Sequence, residues 1–454
     1  MKGSAMAAAT DRQIETGDHC APGLRRGACP TLAAPMPTGD GLLVRLRPAG
    51  GALTVAQMRA LAVSALAHGT GILEITARGN LQVRGLRAES VEALAANIDA
   101  AGIIVPANPA IELSPLHGLD PAEVADPSAF ERMLREHLHE KLASPLLAPK
   151  LAILVDGRGH FCLDEMSADI RIVAVDDTRW MVAIAGTAKT AHPLFCGDAG
   201  EAVAAVGRVL DLLIAKGEHS RARELDDQAL AAAFVQPLGP LSLSVSAKPQ
   251  PGTVTLSTQK AALGLRPQFG QMQSSELIAF LANLDASAEI RLAPDRQFLI
   301  TGLSHAEAER LTMIAGGYGL SADPQDPAAN IAACAGAGFC MSGFYETRRL
   351  AARIIEHAPE LLDGSLTVHL SGCAKGCAHP PPALALVGSA DGYGFSLEGK
   401  AGDAPDATIA GGGIESAIEK LAQLAGPQRQ AGESAAACLK RLGAATIAKA
   451  LRQD

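Results

Sequence analysis

Charge is scarce in this chain, and positive charge scarcer: 39 Lys and Arg stand against 48 Asp and Glu, a net −9 over 454 residues of which only 19% are charged. Such a balance argues against general nucleic-acid binding, so any anionic ligand must be met by a local basic patch. No continuous apolar run approaches the ~18 residues of a membrane span. The amino-terminal stretch carries Lys2, Asp11, Arg12 and Glu15 in place of the apolar core of a secretion signal, and residues 1–24 read as a loose leader. No G-x-G-x-x-G is placed convincingly after a strand pattern, so reducing equivalents are expected to arrive through a separate protein. Five cysteines, Cys20, Cys29, Cys162, Cys196 and Cys438, lack paired spacing, as expected where thiols stay reduced. Cytoplasm is the expected location.

The other four cysteines are patterned. Cys334 and Cys340 are spaced C-x5-C, Cys373 and Cys377 C-x3-C, with 32 residues between the pairs. A cubane 4Fe-4S cluster takes one thiolate at each of four iron corners, and two separated pairs can wrap it from opposite sides. Glycines inside both motifs let the backbone approach an anionic cluster and aim N–H groups at it. Zinc sites favour tighter pairs, and disulfide frameworks belong to short secreted chains. The cluster reading leads, with zinc and unrelated thiols as alternatives.

At 48% hydrophobic residues, the chain can bury several cores. A strand is expected at Gly41–Arg47, then a helix opened by Thr54 with Met58, Leu61, Ala62 and Leu66 on one face. Two strands follow around a turn at Arg78-Gly79-Asn80, then a helix from Ser90 to about Ala101. The pattern returns about 217 residues later: Leu73 answers Ile290, Ile75 Leu292, Leu81 Phe298 and Val83 Ile300, with Gly264–Pro267 at the strand end and Ser274–Leu284 as the helix. Gene duplication is the simple reading. Alternating strands and helices fill about 115–245, a comparable segment with the four cysteines fills about 320–454, and Pro and Gly at Gln236–Pro240 and Pro249–Gly252 mark the seam.

A duplicated α+β unit followed by C-x5-C and C-x3-C resembles the siroheme sulfite and nitrite reductase superfamily. Within it, Arg26-Gly-Ala-Cys-Pro30 leading into Pro35–Val44, and His369-Leu-Ser-Gly-Cys-Ala-Lys-Gly-Cys-Ala-His-Pro380, are most similar to the precorrin-3B synthases. The resemblance implies an α+β, duplicated nitrite/sulfite reductase-like architecture: a ferredoxin-like half-domain over 25–113, an αβ domain over 114–245, a second half-domain over 252–318 and a cluster-bearing αβ domain over 319–454. It implies a 4Fe-4S cluster on Cys334, Cys340, Cys373 and Cys377, and oxygen-dependent hydroxylation and lactone formation on precorrin-3A in aerobic cobalamin synthesis. Dioxygen and an electron donor, an NADH-linked reductase or a ferredoxin, would be the other partners. In siroheme enzymes the last cluster cysteine also bridges to haem iron; beside a metal-free macrocycle Cys377 would ligate the cluster alone.

A carboxylate-fringed macrocycle is best held by guanidinium forks. Arg45 and Arg47, spaced i and i+2, project toward a common region. The resemblance places Thr76, Arg78 and Gln82 at positions that touch a macrocycle rim, and Pro149-Lys150-Leu-Ala-Ile resembles the lysine strand of the reductases. Ala152 stands where a second lysine is expected, and Asn108–Ser114 lacks the arginine of an Arg-Asn pair. Six-electron reduction of an oxyanion would be hard without those cations.

The resemblance also implies a mononuclear non-haem iron, yet no compact facial triad stands out. His160 lies near Asp164 and Glu165, His137 near His139, and His369 and His379 flank the second cysteine pair. Each His alone is read as a surface or capped side chain. Two other readings remain: a siroheme-dependent sulfite or nitrite reductase, and a non-catalytic electron carrier or redox sensor. Siroheme belongs only to the first of these.

Overall fold

The computed structural model describes residues 30–106, 109–234, 250–379, 381–410 and 413–452. The leader, Arg26–Cys29, Asn108, the seam at Gln236–Pro240 and Pro249, and Pro380 lie outside them.

Alternating apolar and polar residues build the first sheet, in the order Met36–Thr38, Gly41–Leu46, Leu81–Leu86, Ile72–Ile75, Gln271–Gln273. One face buries Val44, Val83, Leu73 and Met272; the other carries the polar row Arg45, Gln82, Glu74 and Gln271 beside buried Leu43 and Ile72. The second sheet runs Gly252–Thr255, Ala261–Pro267, Gln297–Leu303, Glu289–Ala293, Ala52–Thr54. The two repeats therefore exchange strands. Gln271–Gln273, from the second repeat, pairs antiparallel with Ile72–Ile75, and Ala52–Thr54 pairs with Glu289–Ala293. A single core fills both units, joining Leu53, Met58, Leu73 and Val83 to Phe280, Ile290, Phe298 and Ile300.

The helix Val55–His68 starts where expected. Thr54 accepts from the Gln57 N–H while the Gln57 side chain accepts from the Thr54 N–H, a capping box that satisfies two orphan donors. Leu66 differs from expectation: it is exposed, because the buried stripe runs through Met58, Leu61, Ala62 and Ala65 instead. The later helices are Ala88–Ala100, beginning two residues before Ser90, and Ser274–Leu281, ending short of Leu284.

Two further sheets share one topology. Ala110–Leu113, Ala152–Asp156 and Ala168–Ala174 run parallel, followed by antiparallel Arg179–Gly186 and His192–Asp198. Ile331–Ala333, Val368–Ser371 and Ala383–Ser389 run parallel, followed by antiparallel Gly392–Gly399 and Ala407–Ala410. Each has its own core. Duplication thus extends over the whole α+β architecture, and no helix among the described residues is long and apolar enough to cross a membrane.

Candidate functional site

The polar face of the first sheet makes one wall of the site. Cross-strand register puts Arg45 opposite Gln82, Gln82 opposite Glu74, and Glu74 opposite Gln271, so four polar residues form a row across four strands. The Gln82 amide donates to Glu74 Oε2 (2.9 Å) and accepts from Arg45 Nη2 (2.7 Å). Gln271 Nε2 donates to Glu74 Oε1 at 2.8 Å. Two residues along from Gln82, Arg84 forks onto Asp40 through Nε (2.8 Å) and Nη2 (2.9 Å) and donates to Glu74 through Nη1 (3.1 Å). Burial alone would lower the Arg84 pKa; Glu74 and Asp40 outweigh it and raise it. The guanidinium stays charged.

The turn at 76–80 overhangs this wall. Thr76 Oγ1 accepts from Asn80 N at 3.0 Å, and Gly79 adopts φ 70° where a Cβ would lie 2.8 Å from the Ala293 backbone. Only glycine fits that approach. Arg78, at the tip, donates to Ser167 O (2.7 Å) and to both oxygens of Glu112, through Nε at 3.2 Å and through Nη2. Arg47 Nη1 reaches Glu112 Oε1 at 3.0 Å. Burial lowers the Arg47 pKa against the pull of Glu112.

Two cavities share this turn. One, of about 250 Å³, is lined by Arg45, Glu74, Thr76, Arg78, Gln82, Arg84, Gln271 and Arg296, and by Cys334 and Cys377 at its floor. The other, of about 620 Å³, is lined by Arg45, Arg47, Arg78, Asn80, Glu112, Lys150, Ala152 and Arg221. Arg45, Arg78 and Asn80 line both, so the cavity at the thiols and the basic chamber adjoin across shared side chains and together make up the cleft. All six residues expected to hold substrate, Arg45, Arg47, Thr76, Arg78, Gln82 and Lys150, border this cleft.

At the floor, Cys334 follows the strand Ile331–Ala333 and Cys373 follows Val368–Ser371. Gly372 N donates to Cys334 Sγ at 3.1 Å. Burial raises the Cys334 and Cys377 thiols, the latter to about 11, and the neighbouring cysteines add to both shifts. Arg84 pulls Cys377 the other way. The loops are cut close: a Cβ on Gly336 would lie 2.6 Å from Thr347 Oγ1, and one on Gly39 would lie 2.4 Å from Cys340 Sγ. Among the described residues no three His, Cys, Asp or Glu side chains converge on a point that could hold a single metal ion. A cubane, with one thiolate per corner iron, needs its ligands spread about a volume instead. Four thiols, a glycine-lined cradle and a backbone N–H at sulfur fit that group.

No facial triad is assembled among the described residues, so the expected second iron finds no fitting donor set there. His160 is held by Asp120 (Nδ1 to Oδ1, 2.7 Å), and His137 and His139 bond to helix carbonyls. His369 departs from the surface reading. It is fully buried, neither ring nitrogen has a partner, and burial, with His379 and Arg296 nearby, lowers its pKa to about 4. It is a neutral side chain packed edge-on to His379, with ring centroids 5.8 Å apart.

Glu74, Arg84, Glu112, Gln271 and Arg296 were not anticipated as site residues. The alternation of Gln82 and Arg84 with buried Leu81 and Val83 carried a signal for one of them; Gln271 and Arg296 arrive from the other repeat. Arg296 sits in a left-handed turn (φ 57°) and donates to Ala378 O at 2.7 Å, beside the last cysteine.

Residues 34–101 match the nitrite/sulfite reductase ferredoxin-like half domain. A sulfite reductase [ferredoxin] of Mycobacterium tuberculosis is 26% identical over 79% of this chain and 72% of its own. The solved NirA protein of that organism superposes with a TM-score of 0.66 at 19% identity, covering 89% of this chain and 84% of that one, which shows the fold. The precorrin-3B synthase of a Sinorhizobium species is 42% identical over 95% of both chains. By that full-length likeness the chain belongs to the precorrin-3B synthase family, oxidoreductases built on the sulfite and nitrite reductase fold.

Proposed function

We propose that this protein converts precorrin-3A to precorrin-3B in aerobic cobalamin biosynthesis, by oxygen-dependent hydroxylation of the macrocycle and closure of a lactone. The observation that carries this reading is the pair of adjoining cavities, one lined by Cys334 and Cys377 and the other basic, in a chain of that family. One oxygen atom of dioxygen would enter the macrocycle and the other would leave as water, with electrons from a separate reductase or ferredoxin.

A 4Fe-4S cluster on Cys334, Cys340, Cys373 and Cys377 would supply electrons one at a time. The chain's own residues do the rest. Arg45 and Lys150 offer cationic heads to carboxylates at the rim, while the Gln82, Glu74 and Gln271 row gives the ring face a fixed set of donors and acceptors. Buried Arg84 holds that row in place through Glu74.

Oxyanion reduction is poorly served by this arrangement. Ala152 lines the chamber where a second lysine would act, and the strand expected to bring an arginine brings Glu112, which ties up Arg47 and Arg78. Protein reconstituted with iron and sulfide, given precorrin-3A, reductant and oxygen, is expected to yield a product heavier by one oxygen atom, labelled from isotopic dioxygen. No such product, or siroheme extracted from the isolated protein together with sulfite reduction, would overturn the proposal.

A further inference from the structure

The larger chamber contains an acid where an anion-binding site has no evident use for one. Glu112 lies on the strand Ala110–Leu113, its side chain 3% exposed, between the guanidiniums of Arg47 and Arg78. A carboxylate removed from water is tolerated only when its lone pairs are filled, and here both oxygens accept from arginine. Arg221, also in the chamber wall, is held by Asp169 at 2.9 and 2.8 Å. Arg45 and Lys150 have no ion-pair partner among the described residues.

Two guanidiniums converging on one point make a strong site for a small dianion. In this chain that point is filled from within. We infer that Glu112 determines the specificity of the chamber: it stands in the place a small inorganic oxyanion would take between Arg47 and Arg78, and leaves Arg45 and Lys150 to meet the carboxylates of a large ligand. The inference deepens the proposed function by naming what the site rejects. Glu112 is here a positioning residue, acting through the two arginines.

The test reads anion binding without turnover, so it can fail while the oxygenation reading stands. Sulfate is titrated calorimetrically into the anaerobically purified full chain and its E112A and E112Q variants. E112A, which vacates the point between the two arginines, is expected to bind sulfate at least about tenfold tighter than the unsubstituted protein, roughly the yield of one added charge-assisted hydrogen bond. E112Q, which keeps the volume, is expected to gain less than E112A, and adding R78Q to E112A to cancel the gain. A folded E112A with unchanged sulfate affinity overturns the inference. Should E112A not fold, crystals of the unsubstituted protein soaked in sulfate decide: sulfate against Arg45 or Lys150 but not between Arg47 and Arg78 supports it, and sulfate bridging Arg47 and Arg78 overturns it.

Discussion

Arg84 shows how much one buried charge can organise. Its side chain is 7% exposed, yet it meets Asp40, whose side chain is fully buried, and Glu74, which in turn binds Gln82 and Gln271. Removing one partner of a buried ion pair leaves the others charged and unpaired, at a cost of about 3–5 kcal/mol. Arg84→Met, close in volume, is therefore expected to lose stability of that order in urea denaturation. A loss below about 1 kcal/mol would mean that water reaches the carboxylates. Glu123 makes a different point. Burial, with Asp126, Asp120 and Asp156 nearby, raises its pKa from 4.5 to about 7, although the Gly118 N–H donates to it. A carboxyl whose folded pKa lies above its unfolded one favours folding when protonated, so this contribution is fully present below pH 4.5 and is lost as pH rises through about 7. Glu123→Gln should flatten the fall in stability between those limits; an unchanged pH profile of the unfolding midpoint would refute the assignment.

At the scale of elements, the hairpin Thr38–Gly41 joins the amino-terminal sheet to the cysteine loop. Gly39 O accepts from Met341 N at 2.8 Å, while Asp40 next door holds Arg84. A Cβ on Gly39 would fall 2.4 Å from Cys340 Sγ, inside any permitted contact, so Gly39→Val must displace that thiol or the turn. Acid-labile sulfide per chain after reconstitution is expected to drop severalfold, with the unfolding midpoint little changed. Full sulfide content in G39V would show that the loop yields without cost. The duplicated strand-helix-strand pattern was legible because buried residues repeat at fixed spacing, and the cysteines were legible because their chemistry is local. The exchanged strands were not. Ala52–Thr54 and Gln271–Gln273 are three residues long, too short to carry a period, and their partners lie in the other repeat. Arg45, Arg47 and Arg78 could be named from the sequence, but not the buried Glu112 that holds two of them, since that contact spans 65 residues from Arg47 and 34 from Arg78.

For the whole molecule, strand exchange turns two similar halves into one folding unit. Each half-domain sheet is finished by a strand from the other, and a single core joins Leu53, Leu73 and Val83 with Phe280, Ile290 and Ile300. A half alone would expose that apolar face and leave an unpaired sheet edge, both routes to aggregation. The cleft depends on the same union, because Gln271 and Arg296 reach it from the second half while Arg45, Glu74 and Arg84 come from the first. Cutting the chain within residues 235–249 and producing the halves separately is expected to give polypeptides without cooperative thermal unfolding. Produced together, they should co-purify as a one-to-one complex that unfolds in a single transition, since the buried interface is a core cut in two. A soluble, cooperatively unfolding half on its own would show that the repeats fold first and exchange strands later, and would place the cleft at an interface between finished domains.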